Sequence, residues 1–290
     1  MRVLITGGQG FIARNLFEQL QPGYTLMCRN RHELDLLQSD EVHDFVRQNR
    51  FDVIIHTATY DAAPEHSNKD PAKVLENNLK MFFNLARCED HFERMIYFGS
   101  GAEFGREYWK PRMSEDYFDQ HVPLDQYGFS KYIMTRYSLS KSKIINLRLF
   151  GVFGKYDDWR VRFISNACCY AALGLPIKIH QNRNFDFLYV DDLVRIIQWF
   201  LHNEPQRNVL NVCSGSVLDF KTVAEKIIRI SGKSLKIEMV GEGFGQEYSG
   251  DNSKLLNELK KFEFSDIDES IKSLYQWYYD HRDLIEKDKL

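Results

Sequence analysis

Short apolar runs alternate with helix-like apolar spacing through the first half of the chain. Apolar runs of strand length lie at residues 3–6, 24–28, 53–56, 95–99 and 144–150. Apolar residues at helical spacing occupy the segments between them, at residues 11–20, 42–46, 75–85 and 127–141. Because these runs are too apolar for strands with one exposed face, the alternation predicts a Rossmann-type, doubly wound α/β fold with a parallel sheet.

The alternation loosens after about residue 154. A helix is predicted at residues 160–173, a strand at 177–180 and a loop at 241–250. We therefore predict a Rossmann domain and a smaller, mixed α/β carboxyl-terminal domain. The first comprises residues 1–155, with residues 185–213 returning to it, and the second comprises residues 156–184 and 214–290.

Composition argues against several classes of protein. The formal net charge is −3 and basic residues are not clustered, so neither nucleic acid nor a membrane surface is expected as a partner. No apolar run approaches the roughly 18 residues of a membrane span, and the amino terminus predicts no signal peptide. The five cysteines form no CxxC pair and the nine histidines are scattered. These patterns predict a cytoplasmic protein without a metal site.

A glycine-rich turn follows the first predicted strand and opens the first predicted helix. Gly7 and Gly10 would let the backbone turn tightly around a pyrophosphate, whose charge the helix start stabilises. Phe11 and Ile12 begin that helix, and Ala13 is small enough for close helix–strand packing. A plain turn is the alternative, but the position within a βαβ unit favours dinucleotide binding.

The end of the second predicted strand indicates which dinucleotide is bound. An NAD site places an acidic residue there for the ribose hydroxyls, whereas this chain has Arg29, Asn30 and Arg31, with the first acid at Glu33. Two guanidinium groups favour the 2′-phosphate of NADP. We therefore assign NADP(H) to residues 1–155; NAD(H) and a merely solvated basic turn remain as alternatives.

Two Tyr-x-x-x-Lys pairs are candidates for proton transfer, since this spacing places both side chains on one helix face. A nearby ammonium favours the phenolate and should lower the tyrosine pKa. Tyr127 and Lys131 lie near the predicted helix start, close to the carboxyl ends of the strands, where ligands bind in such sheets. Tyr137 and Lys141 lie deeper in the helix. We therefore predict that the first pair is catalytic.

Ser100 ends the fourth predicted strand and is a third candidate. A serine in this position can hydrogen-bond a substrate oxygen. Alone it would more often be a loop residue, but the downstream tyrosine–lysine pair favours a catalytic role.

Together these motifs resemble the extended short-chain dehydrogenase/reductase superfamily, of the NAD-dependent epimerase/dehydratase type. The resemblance continues through residues 56–58, 78–84, 147–154, 186–192, 211–215 and 251–255. It implies further cofactor contacts at Asp35, Leu36, Thr57, Ala58 and Asn78. It also implies a homodimer that pairs through helices near residues 73–88 and 125–141.

Within the superfamily, residues 29–37 and 41–45 are similar to GDP-L-fucose synthase-like 4-keto sugar-nucleotide reductases, which use NADP. Those synthases carry an epimerising cysteine where this chain has Ala102, and a histidine near the position of Arg162. The acidic pair of 4,6-dehydratases falls at Gly101 and Ala102. The residues that serve epimerisation and dehydration in those enzymes are therefore both missing here.

Two further departures concern the sugar nucleotide. The arginine that usually grips the diphosphate is Phe185 here, with Arg183 nearby as a substitute, and Gly151 replaces a common substrate-contacting asparagine. We therefore name Ala102, Gly151, Arg162 and Arg183 as candidate substrate-binding residues. The sugar's identity would depend on the second domain and on loops such as residues 61–71.

The combined prediction is an NADPH-dependent reductase of a nucleotide-linked 4-keto deoxysugar, of the kind used in surface-polysaccharide biosynthesis. Tyr127 would give the proton, Lys131 would hold the nicotinamide ribose, and Ser100 would orient the carbonyl. One alternative is a nucleotide-sugar 4-epimerase that retains NAD. Another is a non-catalytic NADP-sensing or scaffold protein.

Overall fold

A computed structural model of the chain describes residues 1–61 and 68–290. Its strands are β1 (Arg2–Thr6), β2 (Thr25–Arg29), β3 (Phe51–His56), β4 (Phe92–Ser100), β5 (Ile144–Leu149), β6 (Gly151–Phe153), β7 (Ile177–Ile179), β8 (Asn182–Tyr189), β9 (Val209–Val212), β10 (Val217–Asp219), β11 (Ile237–Met239) and β12 (Phe244–Tyr248). Its α-helices are α1 (Phe11–Leu20), α2 (Ser39–Asn49), α3 (Val74–Ala86), α4 (Gln126–Ser138), α5 (Phe163–Ala172), α6 (Val190–His202), α7 (Phe220–Ser231), α8 (Ser253–Leu259) and α9 (Ile267–Asp280).

Six strands form the central sheet, in the order β2-β1-β3-β4-β5-β9. Every neighbouring pair is parallel, so the carboxyl ends of these strands share one edge. The chain reverses its direction of progression beside β1, which creates the crevice where ligands bind in such sheets. The predicted Rossmann-type α/β class is confirmed.

Helices cover both faces of this sheet and bury its apolar residues. On one face, α1 and α6 pack against β1, β3, β4 and β5, with Leu16 and Phe200 fully buried. On the other, α2, α3 and α4 bury Val46, Phe82 and Met134 against the same sheet. Strands that are buried on both sides need continuous apolar sequence. For this reason the strands in the first half of the chain can be predicted from their apolar runs.

Most of the chain after β5 forms a smaller region of strands and helices. Strands β10, β8 and β12 form a small sheet to which β6 adds, and β7 pairs with β11. Helices α5, α7 and α9 bury a separate core that includes Ile164, Ile227 and Leu274. Strand β9, within the segment expected to return to the Rossmann domain, pairs with β5. The exact domain boundaries stay a prediction.

The prediction of a loop over residues 241–250 is wrong, because this segment contains β12. Its sequence has a glycine and two polar residues among five, so its own strand propensity is low. Pairing with β8 makes it a strand, with Phe244 opposite Asn182 and Tyr248 opposite Phe185. The register shifts between Gly245 and Tyr248. Tertiary pairing, which local sequence does not encode, therefore decides this element.

Candidate active site

The glycine-rich turn closes tightly against the neighbouring strand. The amide of Gly10 donates to the carbonyl of Gly7 at 2.8 Å, and the amide of Gly8 donates to the carbonyl of Arg29 at 2.9 Å. Gly7 has φ of +68°, and a Cβ there would lie 2.8 Å from the Cα of Ala58. A side chain at position 7 would therefore be strained and would clash with backbone.

Helix α1 begins at this turn with an extended Gly10 as its amino-terminal cap, which offers no capping side chain. The first amides of a helix have no intrahelical acceptor, and the helix dipole makes this end electropositive. The amides of Phe11 and Ile12 belong to this first turn. A glycine backbone that a ligand can approach closely, next to the start of a helix, fits the pyrophosphate of a dinucleotide.

Replacing Gly7 by alanine is expected to cost more than replacing Gly174, although both have a left-handed φ, +68° and +73°. Within the described residues, a Cβ at Gly174 would meet nothing within 4 Å. Gly174→Ala should therefore lower the free energy of unfolding by about 1 kcal/mol, from φ strain alone. Gly7→Ala adds a backbone clash and should lower it by about 2–4 kcal/mol. Urea unfolding measures both; equal losses would contradict the assigned contact.

The basic turn after β2 carries two arginines, each paired with an acid four residues later. Arg29 lies 3.6 Å from Glu33 and Arg31 lies 3.9 Å from Asp35, with arginine side chains 31% and 69% exposed. Exposed pairs of this kind contribute little, so either guanidinium can turn to another anion at small cost. Asn30 shapes the turn, since its side-chain oxygen accepts the amide of His32 at 2.8 Å.

The other residues implied as cofactor contacts hold strand ends and loops together. The hydroxyl of Thr57 donates to the carbonyl of Thr6 at 2.7 Å, which ties β3 to β1. Both ends of the Asn78 amide bond the backbone of Tyr60, at 2.8 and 3.0 Å. Asn78 therefore fixes the loop after β3. Leu36 is buried, and its carbonyl accepts the side-chain amide of Asn84 at 2.9 Å.

Ser100, Tyr127 and Lys131 meet at the carboxyl end of β4. Asp125 caps α4 by accepting the amide of Gly128 at 2.8 Å, which fixes where the helix starts. The ammonium of Lys131 donates to the carbonyl of Phe98 at 2.7 Å and lies 5.7 Å from the centre of the Tyr127 ring. The Ser100 hydroxyl lies close enough to the Tyr127 phenol to lower its pKa. Strand β4 and helix α4 therefore bring the three groups together.

Ser100, Tyr127 and Lys131 are called the trio below. Burial controls the charge states of Tyr127 and Lys131. It raises the pKa of Tyr127 above its ordinary value; Asp61 adds to the rise, and Arg162 opposes it. Desolvation of the phenol outweighs the charges around it, so the net shift of the Tyr127 pKa is upward. The expected lowering by Lys131 stays a prediction. Burial also lowers the pKa of Lys131 to about 8, against the opposing field of Glu103.

The second tyrosine–lysine pair lies in a different environment. The Tyr137 ring packs edge-on against Phe83, with centroids 5.0 Å apart. The ammonium of Lys141 pairs with Glu89 at 2.9 Å. This pair ties α4 to its neighbours at the opposite end of the helix from the trio.

A buried ion pair that the sequence analysis did not identify lies beneath the trio. Arg148 and Glu103 contact each other and both side chains are 0% exposed. Glu103 also accepts the hydroxyl of Thr135 at 2.9 Å, and Arg148 donates to the side chain of Asn211 at 2.9 Å. An arginine in the middle of an apolar strand was the available signal, since a buried guanidinium needs an acidic partner.

Tyr248 is a second side chain that was missed. It ends β12 and its hydroxyl lies 3.5 Å from the Oγ of Ser100, across 148 residues of sequence. No local motif marks it, because its segment was interpreted as a loop.

A cavity of about 1040 Å³ has Gly151, Arg162, Arg183 and Phe185 among its lining residues, whereas Ser100, Tyr127 and Lys131 do not line it. Phe185 links it to the trio, because its ring lies 5.2 Å from that of Tyr248. A Cβ at Gly151 would lie 2.6 Å from the carbonyl oxygen of Asp186, so a side chain such as asparagine has no room at this position. Ala102 is buried and is not part of this lining. Of the loop at residues 61–71, residues 62–67 lie outside the described part of the chain.

Residues 1–61 and 68–290 contain neither a cluster of metal ligands nor a membrane-spanning helix. No group of three or more histidine, cysteine and acidic side chains there could hold a metal ion. None of the helices in these ranges is long and apolar enough to cross a bilayer.

Relatives share this architecture. The curated ADP-L-glycero-D-manno-heptose-6-epimerase of Brachyspira hyodysenteriae is 25% identical over 273 residues, covering 82% of this chain and 83% of the relative. A GDP-L-fucose synthetase from Naegleria fowleri superposes with a TM-score of 0.83 at 17% identity, over 99% of this chain and 94% of that one. A GDP-mannoheptose C4 reductase from Campylobacter jejuni with NADP bound superposes with a TM-score of 0.81 at 20% identity, over 96% and 98%.

At these identities the two superpositions establish the fold, and the family follows from the sequence. The model of the NAD dependent epimerase/dehydratase family matches residues 3–213. That range spans the glycine-rich turn, the trio at the end of β4 and the last strand of the central sheet. The chain therefore belongs to the NAD dependent epimerase/dehydratase family.

Proposed function

We propose that this protein is an NADPH-dependent reductase of a nucleotide-linked 4-keto sugar. The observation that carries the proposal is the meeting of Ser100, Tyr127 and Lys131 at the carboxyl end of β4. These are a proton donor, a cation and a hydrogen-bonding hydroxyl at the ligand-binding edge of the sheet. When bound, NADPH supplies the hydride for the carbonyl carbon.

The charge states of the trio suit the reductive direction. Because burial raises the pKa of Tyr127, its phenol is protonated at neutral pH and can donate to the carbonyl oxygen. Oxidation of a sugar alcohol would need the phenolate as a base, which the same burial disfavours. Ser100 would hold the carbonyl oxygen by a hydrogen bond, and Lys131 would hold the nicotinamide ribose beside it.

The cavity that Phe185 lines suits a sugar nucleotide in size and in charge. Its volume of about 1040 Å³ is at the upper end for small-molecule sites. Arg162, Lys178 and Arg183 face it, and the rings of Phe163 and Phe220 stack in its wall at 4.2 Å. Cations can bind a diphosphate, and aromatic faces suit a base or a sugar ring.

The proposal is tested with NADPH and a panel of GDP-, CDP-, UDP- and dTDP-linked 4-keto sugars, by following NADPH absorbance. We expect consumption of one NADPH per sugar with at least one of them. An epimerase is the second candidate, favoured by the Brachyspira relative. Interconversion of sugar nucleotides without net consumption of NADPH would support the epimerase and overturn the reductase.

NADP is the proposed cofactor because Arg29 and Arg31 supply two guanidinium groups at the end of β2, in weak pairs with Glu33 and Asp35. Replacing both by alanine is expected to raise the KM for NADPH by about 10- to 100-fold, the loss of charge-assisted hydrogen bonds. The KM for NADH should stay unchanged. Arg47→Ala is the control, since Arg47 is an exposed arginine paired with Asp44 on α2. An equal rise for both cofactors would contradict recognition of the phosphate.

We also propose that the enzyme is a cytoplasmic homodimer that pairs through α3 and α4, as the family resemblance implies. Light scattering of the purified protein tests the dimer, and a monomer would contradict it.

A further inference from the structure

The phenol of Tyr248 is held rigidly beside the trio. Its side chain is 7% exposed, and its ring centre lies 4.2 Å from Trp109, 5.1 Å from Phe150 and 5.2 Å from Phe185. Trp109 is itself fixed, because its indole nitrogen donates to the carbonyl of Gly101 at 3.0 Å. Rings on three sides leave the phenol little freedom, so the position of its hydroxyl is set by the fold.

Gly101 shows how closely the Tyr248 ring approaches the end of β4. A Cβ at Gly101 would lie 2.7 Å from the Cε2 atom of Tyr248 and 2.8 Å from its hydroxyl oxygen. Both distances are shorter than van der Waals contact, so a side chain at position 101 and the Tyr248 phenol exclude each other. The ring therefore fills the volume directly beside Ser100.

The hydrogen-bond directions at Tyr248 follow from the groups it contacts. Its hydroxyl lies 3.4 Å from the carbonyl oxygen of Leu149 and 3.5 Å from the Oγ of Ser100. Either hydroxyl could donate to the other; because a carbonyl can only accept, Leu149 takes the single phenolic proton in the arrangement in which Ser100 donates. The phenol oxygen then faces Ser100 with its lone pairs, and Ser100 is the donor between the two hydroxyls.

Ser100 also accepts a hydrogen bond from the backbone. Its Oγ accepts the amide of Ala102 at 3.2 Å, which leaves the hydroxyl proton free to point at an acceptor. Both contacts of the Tyr248 hydroxyl are longer than the usual 2.7–2.8 Å of such bonds, so Tyr248 holds that proton only weakly. A substrate oxygen can take it over without the loss of a strong bond.

We propose that Tyr248 is a positioning residue, whose hydroxyl holds the Ser100 hydroxyl ready to donate to the substrate carbonyl. This inference rests on the proposed function, because Ser100 is taken there as the group that binds the carbonyl oxygen. Tyr248 acts through Ser100 and does not itself give or take a proton in the reaction. Orienting the hydroxyl beforehand lowers the cost of ordering it in the transition state.

A double-mutant cycle tests the proposal, with NADPH and the first 4-keto sugar nucleotide that the wild type reduces. Tyr248→Phe should lower kcat by about 10-fold, the value of one hydrogen bond, with KM within about 2-fold. Ser100→Ala should lower kcat by about 100-fold or more. The double variant should be no slower than Ser100→Ala, because Tyr248 acts only through Ser100. Additive losses, or a wild-type kcat in Tyr248→Phe, would overturn the proposal.

Tyr278→Phe is the matched control. Tyr278 is also a buried tyrosine whose hydroxyl makes a long bond to a backbone carbonyl, 3.3 Å from that of Asp157. Removing this hydroxyl has a similar structural cost without contact to Ser100, so kcat should stay at the wild-type value. An equal fall of kcat in both variants would mean that Tyr248 has only a structural role.

A second readout needs neither cofactor nor substrate: titration of the Tyr127 phenol by NMR with ¹³C-labelled tyrosine. In Tyr248→Phe, the Ser100 proton loses Tyr248 as its acceptor and turns to the Tyr127 oxygen, where it stabilises the phenolate, so the pKa of Tyr127 should fall. Ser100→Ala should raise it, alone or with Tyr248→Phe. An unchanged Tyr127 pKa in Tyr248→Phe would overturn the inference. If no panel sugar is reduced, the proposed function fails, and this titration still decides the role of Tyr248.

Discussion

Replacing Tyr127 by phenylalanine is expected to lower kcat/KM for NADPH-dependent reduction by about 1000-fold, within the usual range for loss of a general acid. In the proposed mechanism the phenol is the proton donor, and water would have to replace it in the variant. The phenylalanine ring preserves the packing of α4, so the free energy of unfolding should change little. Steady-state kinetics and urea unfolding measure the two quantities.

Tyr137→Phe is the matched control, because Tyr137 has the same spacing to a lysine on the same helix. Its ring packs on Phe83 and its lysine pairs with Glu89, so we expect kcat/KM within about 2-fold of wild type. If Tyr127→Phe retained wild-type kcat/KM, the catalytic assignment would be lost. A chain that bound NADPH but reduced no sugar would fit the sensing or scaffold alternative.

The pH profile gives the same prediction a second readout. Burial lowers the pKa of Lys131 to about 8, so the ammonium is charged below that pH and neutral above it. Tyr127 stays protonated through the same range, because burial raises its pKa. Therefore kcat/KM, which reports the free enzyme, should be level below pH 8 and fall as pH rises through about 8. A fall toward lower pH instead would contradict this role of Lys131.

The nucleotide-binding half could be predicted from sequence because its signals are local. Residues 11–20 were predicted as a helix and coincide with α1, since an apolar stripe and a glycine-rich turn define both its face and its start. Strands β3 and β5 are buried on both sides, so their apolar runs alone identify them. Ser100 could be placed at a strand end for the same reason.

The remaining parts of the site depend on contacts between distant segments. Strand β12 exists because β8 pairs with it, and Tyr248 reaches Ser100 only through that pairing. The Tyr127 pKa depends on how deeply α4 and the residues after β4 bury the phenol, which helical spacing does not reveal. Spacing therefore identified the tyrosine and the lysine as neighbours but could not indicate the desolvation that raises the tyrosine pKa.

Glu103→Ala is expected to lower the free energy of unfolding by about 3–5 kcal/mol, the usual cost of breaking a buried ion pair. The loss leaves the Arg148 guanidinium, which is 0% exposed, without its carboxylate. One of its nitrogens, Nη2, already has no hydrogen-bond partner among the described residues, so little compensation is available nearby. Urea unfolding measures the change.

Two controls separate this effect from a general sensitivity to charge. Asp44→Ala breaks an exposed pair with Arg47 and should cost less than about 1 kcal/mol. The double variant Glu103→Ala/Arg148→Met should recover much of the loss, because it removes the unpaired buried charge together with its partner. The Phe104 ring lies 4.4 Å from the guanidinium carbon of Arg148. If the double variant lost as much stability as the two single variants together, the penalty would come from lost packing around Phe104 and not from the unpaired charge.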